Sequence, residues 1–152
     1  MNKALLLFTP MLQLLLLCMA NTAWADESEK RWYTSNQVAQ GKALFSVYCA
    51  ECHGKKAEAT PDWRKSDKDG IYPPPPLNGS AHAWHHPLAH LRLTVRFGGA
   101  RYGGKMPSFE DKLSADQVDS IIAWFQSLWP DEAYNRWLDR GKSQIPTIKP
   151  VQ

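Results

Sequence analysis

The sequence predicts an all-α fold of three main helices joined by long loops, and two observations carry it. Apolar residues recur at helical spacing in three separate segments, and no segment alternates apolar with polar residues as a half-buried strand does.

The first expected helix spans Thr34 to Tyr48, with Thr34 or Ser35 as cap and Val38, Leu44, Phe45 and Tyr48 as its apolar positions. The second opens at Pro87, a residue suited to a first helical turn. It continues through Leu88, Leu91, Val95 and Phe97 to stop at Gly98-Gly99. The third is capped by Ser114 with Gln117 as the far half of a capping box. Its stripe is Val118, Ile121, Ile122, Phe125 and Leu128, and Pro130 ends it. Between the first two helices, residues 54–79 are polar and broken by Pro61, Asp69-Gly70 and the run Pro73 to Pro76, which excludes a helix or a central strand. A loop this long needs a surface to pack on, and a buried cofactor would supply one. A second loop carries Gly103-Gly104-Lys105-Met106-Pro107, where Pro107 keeps Met106 out of helical conformation.

The ends of the 152-residue chain read differently from its middle. Lys3, the apolar stretch Ala4 to Ala20 and the small-x-small site Ala23-Trp24-Ala25 have the form of a cleaved export signal over residues 1–25. Pro10 and Gln13 interrupt the stretch, which falls short of the ~20 apolar residues of a spanning helix. The mature chain is expected to begin near Asp26, outside the cytoplasm. Residues 26–130 suffice for one domain with a modest core. Residues 131–152 form an extension in which Tyr134, Trp137 and Leu138 keep helical spacing before Pro146 and Pro150 break it. With 18 Lys plus Arg against 15 Asp plus Glu, a net charge of +3, the balance is too mild to point to nucleic acid.

Cleavage removes Cys18 and leaves Cys49 and Cys52, a pair too close in sequence to staple an exported domain. Cys49-Ala50-Glu51-Cys52-His53 instead fits the C-x-x-C-H pattern of covalent haem attachment. In that pattern two thiols match two vinyl groups on one porphyrin edge and the next residue's imidazole reaches the iron. A thioredoxin-type dithiol would open a helix within a strand-helix-strand unit, whereas this pair follows a helix. A structural zinc site needs four ligands, and no second ligand pair has the usual spacing.

Cleavage also leaves Met106 as the single methionine of the mature chain. On a glycine-rich loop it has no core face to fill, and its soft thioether suits iron as the second axial ligand opposite His53. His82, His85, His86 and His90 crowd nine residues. Imidazole suits copper or zinc, but Pro87 breaks the helical face such a site would need, and the cluster is not expected to be an obligatory second metal site.

With these motifs the chain resembles bacterial class I monohaem c-type cytochromes over residues 35–129. Gly41 and Phe45 with Trp124 look like that family's helix-crossing contact. Met106-Pro107-Ser108-Phe109 resembles its Met-Pro-x-Phe ligand loop, and Leu113-Ser114-Ala115-Asp116-Gln117 the start of its C-terminal helix. The resemblance implies a small cytochrome c fold wrapped on one covalently attached haem c. It also implies a proline carbonyl that accepts a hydrogen bond from the ligand histidine; Pro76 is named for it with Pro75 as the alternative, and the resemblance itself does not choose among Pro73, Pro74, Pro75 and Pro76. The same prolines also suit a stiff extended linker. Pro61-Asp62-Trp63-Arg64, Asp69-Gly70 and His82-Ala83-Trp84-His85-His86 resemble an extended subgroup with a long Pro/His-rich loop.

The expected function is a non-enzymatic one: a periplasmic bacterial electron shuttle between redox protein partners, with both axial positions of its iron filled. Lys55, Lys56 and Lys105 are candidates to steer an acidic partner. Two other classes compete, a ligand-binding sensor haem from which Met106 dissociates and an electron-transfer subunit of a larger oxidoreductase.

Overall fold

Helix α1 (Ser35–Tyr48) begins where the sequence says it should. Thr34 is extended at φ −96°, its hydroxyl accepts from the Gln37 N–H at 3.2 Å, and Gln37 Oε1 accepts from the Thr34 N–H at 2.9 Å. That reciprocal box satisfies two donors that an uncapped helix start leaves unpaired. A one-turn helix α2 (Ala50–His53) follows directly. After a long irregular stretch comes a 3₁₀ turn, Ala83–His85, then α3 (Leu88–Phe97), a second 3₁₀ turn, Ala100–Tyr102, α4 (Ala115–Ser127) and α5 (Asp131–Ser143). This computed structural model describes residues 31–143, so the expected export signal and the end of the extension lie outside the described residues.

The fold is all-helical. Among the described residues the single β pairing is an isolated bridge between Tyr72 and Gly104, with the Tyr72 N–H donating to Gly103 O at 3.1 Å.

Helices α1 and α4 form the frame. At their crossing a Cβ on Gly41 would overlap the Ser120 carbonyl and stand 2.9 Å from Trp124 Cβ, so only glycine fits. One turn later Phe45 packs on Trp124 with ring centroids 4.3 Å apart. The Ser120 hydroxyl donates to Gln40 Oε1 at 3.0 Å across the same crossing. Val118, Ile121, Ile122 and Phe125 are buried as the stripe predicts, but Leu128 is 39% exposed. The last helical residue is Ser127, so Leu128 sits beyond the regular turn and off the buried face.

Helix α3 buries Leu91 and Val95 and leaves Leu93 and Phe97 exposed. Its stop is Gly98, at φ +79°, a conformation that side-chain-bearing residues rarely adopt. Arg92 donates both Nε and Nη2 to Asp119 at 2.6 and 2.7 Å, clamping α3 to α4. Helix α5 buries Tyr134 and Trp137 in an aromatic cluster with Trp129 and Phe125. Two indole donors tie this cluster to loop backbone: Trp129 Nε1 to Leu77 O at 2.7 Å and Trp137 Nε1 to His86 O at 2.9 Å. The extension is therefore packed structure at its start, and it braces the long loop from behind.

Candidate functional site

Cys49 closes α1, and the chain turns at once into α2, where the His53 N–H returns to Cys49 O at 2.9 Å. This single turn places both thiols and the imidazole within one local unit. Neither cysteine is in a disulfide. Cys49 is buried and Cys52 exposed. Burial, helped by the nearby Cys52, pushes the free Cys49 thiol up to about 11, so it is a neutral thiol near neutral pH.

His53 is buried, 6% exposed, with the Phe45 ring at 6.5 Å. Its Nδ1 lies 2.9 Å from the Pro75 carbonyl, and an oxygen acceptor there requires the proton on Nδ1. Nε2 is left with its lone pair, and among the described residues no group hydrogen-bonds it. Desolvation lowers the His53 pKa and the Pro75 bond partly opposes it, which favours the neutral, ligating form.

The acceptor is Pro75, which corrects the assignment to Pro76. Consecutive prolines in an extended run turn their carbonyls to different sides, so only one of the pair faces the imidazole. Leu77 N and Asn78 N both donate to Ala57 O, at 2.8 and 3.2 Å, and this sets the register of the run. Ala57 is fully buried at φ 56°, an uncommon conformation for alanine that closes a tight loop just after His53. The Ala59 N–H completes it by donating to His53 O at 2.8 Å.

Met106 stands apart from this unit, on a loop anchored to the end of α3. The Gly99 N–H donates to Met106 O at 2.9 Å, and a Cβ at Gly98 would stand 2.6 Å from the same oxygen. Downstream, the Ser108 hydroxyl and the Phe109 N–H both donate to Arg96 O, at 2.6 and 3.0 Å. The two glycines that stop α3 thus let the Met106 backbone press against the helix end. Asp67 ties this loop to the proline loop. It accepts from the Asp69 and Ile71 N–H groups at 3.0 and 2.9 Å and from Lys105 Nζ at 3.1 Å. The Ile71 bond, then Lys105, holds its carboxyl below the usual range. Sequence reading missed Asp67, and it missed that Lys105 is partly neutralised within the chain.

The histidine cluster forms a ladder instead of a convergent ligand set. Trp63 stacks on His82 at 4.8 Å, His82 meets His86 edge-on at 5.3 Å, His86 stacks on His90 at 4.5 Å, and His90 reaches Tyr102 at 5.5 Å. His85 turns away to pack on Trp84. Among the described residues no three His, Cys, Asp or Glu groups converge as a metal site.

The donor set fits covalent haem: two free thiols two residues apart, an adjacent imidazole with Nε2 free, and a thioether on a glycine-anchored loop. The family profile agrees with it. The profile of the family described as cytochrome C oxidase, cbb3-type, subunit III matches residues 36–125. The Cbb3-type cytochrome c oxidase subunit FixP of Sinorhizobium medicae (strain WSM419) is 27% identical over 106 residues, 69% of this chain. The chain spans 35% of that relative's length. Among solved structures, cytochrome CL from the marine methylotrophic bacterium Methylophaga aminisulfidivorans MPT superimposes with a TM-score of 0.49 at 19% identity. The match covers 90% of this chain and 77% of that one.

Proposed function

The chain belongs to the family described as cytochrome C oxidase, cbb3-type, subunit III, and from that premise we propose that it is an exported monohaem cytochrome shuttling single electrons between periplasmic redox proteins. At the coarser level it is a c-type cytochrome of electron transfer with covalently bound haem c, consistent with Cys49, Cys52 and His53 as its attachment motif.

Bound there, the haem supplies an iron that cycles between ferric and ferrous states. The chain's own residues do the rest. Cys49 and Cys52 supply the two thiols, His53 the nitrogen ligand and Met106 the sulfur ligand. The Pro75 carbonyl keeps the His53 proton on Nδ1 and so presents Nε2 in one orientation. If His53 and Met106 both bind the iron, no position would be left open for substrate chemistry, and that favours electron carriage. The long Pro/His-rich loop supports membership of an extended subgroup, and Trp137 on α5 ties the start of the extension to that loop at His86 O. Among the described residues no helix is long and apolar enough to cross a membrane.

The observation that supports this reading is the His53 Nδ1 bond to Pro75, since it leaves the Nε2 lone pair of a buried imidazole available for ligation. Carbon monoxide binding tests it. The reduced parent is expected to bind the gas slowly or not at all and the reduced Met106→Ala protein to bind it fast. Equal, fast binding by both would replace the carrier with a sensor.

A second reading has its own support: the FixP relative is by name an oxidase subunit, and this chain aligns to part of it. In that reading the chain delivers electrons inside a larger complex, and co-purification with a catalytic subunit is its test.

A further inference from the structure

We propose that Trp129 is a positioning residue for the His53 imidazole, acting through the Leu77 carbonyl on the loop that carries Pro75. The inference rests on the reading of His53 as the nitrogen ligand of the iron.

The Trp129 indole is 3% exposed and donates from Nε1 to Leu77 O at 2.7 Å. The Leu77 N–H donates in the opposite sense to Ala57 O at 2.8 Å. Leu77 is thus held from both sides, by the turn beyond α4 and by the tight loop that follows His53. Pro75 lies two residues upstream. Pro76 between them is buried and its ring fixes φ, so a displacement of Leu77 passes to the Pro75 carbonyl with little freedom to absorb it.

The loop has no slack on its other side. Gly79 sits at φ +91°, where a Cβ would stand 2.9 Å from Pro130 Cδ and 3.2 Å from Trp129 Cα. Side chain and backbone of Trp129 therefore both set where this loop lies.

A hydrogen bond from Nδ1 to a carbonyl makes the imidazole a better donor at Nε2, and outer-shell bonds of this kind tune a bound metal. A stronger nitrogen donor favours ferric iron. Loss of the Trp129 anchor is expected to loosen the Pro75 contact, weaken that donation and raise the reduction potential.

The experiment uses the haem-loaded full chain. Trp129→Phe keeps an aromatic ring and removes the N–H. The expected result is a higher midpoint potential in redox titration and solvent exchange of the His53 Nδ1 proton faster by about fivefold, the ratio that corresponds to about 1 kcal/mol of hydrogen bonding. Trp137→Phe is the control. It removes an indole bond of 2.9 Å, to His86 O, from the same aromatic cluster, and is expected to lower stability while leaving potential and exchange unchanged. If Trp129→Phe does not accumulate, 3-benzothienylalanine at position 129 keeps the bicyclic shape without the donor and should give the same two shifts. Unchanged potential and exchange in both position-129 variants, or equal shifts in Trp137→Phe, would overturn the proposal. A parent whose His53 ring shows no iron-shifted NMR signals would overturn the ligand reading, and the proposal with it.

Discussion

Gly41 and Trp124 meet where α1 and α4 cross, and a Cβ on the glycine would stand 2.9 Å from Trp124 Cβ and overlap the Ser120 carbonyl. The contact delivers Phe45 to Trp124 one turn later, and the same helix then ends at Cys49, so the crossing positions the haem-attachment turn. Gly41→Ala cannot be accommodated by a side-chain rotation, because the obstacle is backbone. Denaturant titration of this variant is expected to show a loss of about 3 kcal/mol or more, the upper end for overpacked sites. A loss below about 1 kcal/mol would mean that the helices slide apart without cost.

Export and attachment are read by mass. The mature protein is expected to begin near Asp26 and to carry one haem through thioethers at Cys49 and Cys52. A periplasmic product that lacks the haem mass removes the attachment half of the claim, and one that retains Trp24 removes the cleavage half.

Met106→His tests the sulfur ligand by the sign of a potential. A nitrogen donor favours ferric iron more than a thioether does, so the midpoint is expected to fall, and the weak long-wavelength absorption of a Met-ligated ferric haem should vanish. An unchanged potential would place Met106 away from the iron.

Acid stability is expected to depend on His86. Burial first, then repulsion from His90, His82 and His85, lowers its pKa to about 4 in the fold, against 6.5 as the ordinary value. The unfolded chain thus binds the proton more readily, and the contribution of neutral His86 is fully present above pH 6.5 and is lost as pH falls through about 4. His86 is half-buried and still meets solvent, so after screening the effect is on the order of 1 kcal/mol. His53 and His82 shift in the same direction, so the comparison is with His86→Asn. Parent and variant stabilities should differ at pH 7 by more than at pH 4. A constant difference would mean that His86 titrates normally.

The ladder of ring contacts through His82, His86 and His90 predicts that joint replacement of His82, His85 and His86 leaves haem and metal content unchanged. Stoichiometric loss of copper or zinc from that variant would reverse the assignment.

What the sequence by itself determined is what neighbours in sequence can encode. The attachment motif is five contiguous residues and the Ser114 capping box joins a residue to its third neighbour, so Ser114 and Cys49 to His53 were legible before any fold was known, while the first cap was narrowed to Thr34 or Ser35. Gly41, Phe45 and Trp124 were legible through the resemblance to class I c-type cytochromes, whose helix-crossing contact they match. The tertiary structure decided every choice among equivalent neighbours. Four consecutive prolines offer four similar carbonyls, and Pro75 faces His53 only because Ala57 and Trp129, from distant parts of the chain, set the register of Leu77. Four histidines offer ligation or ring packing, and the structure packs them on Trp63 face to face, on Trp84 edge-on and on Tyr102 at a tilt. Hydrogen-bond direction and ring packing depend on partners tens of residues away, and no local pattern records them.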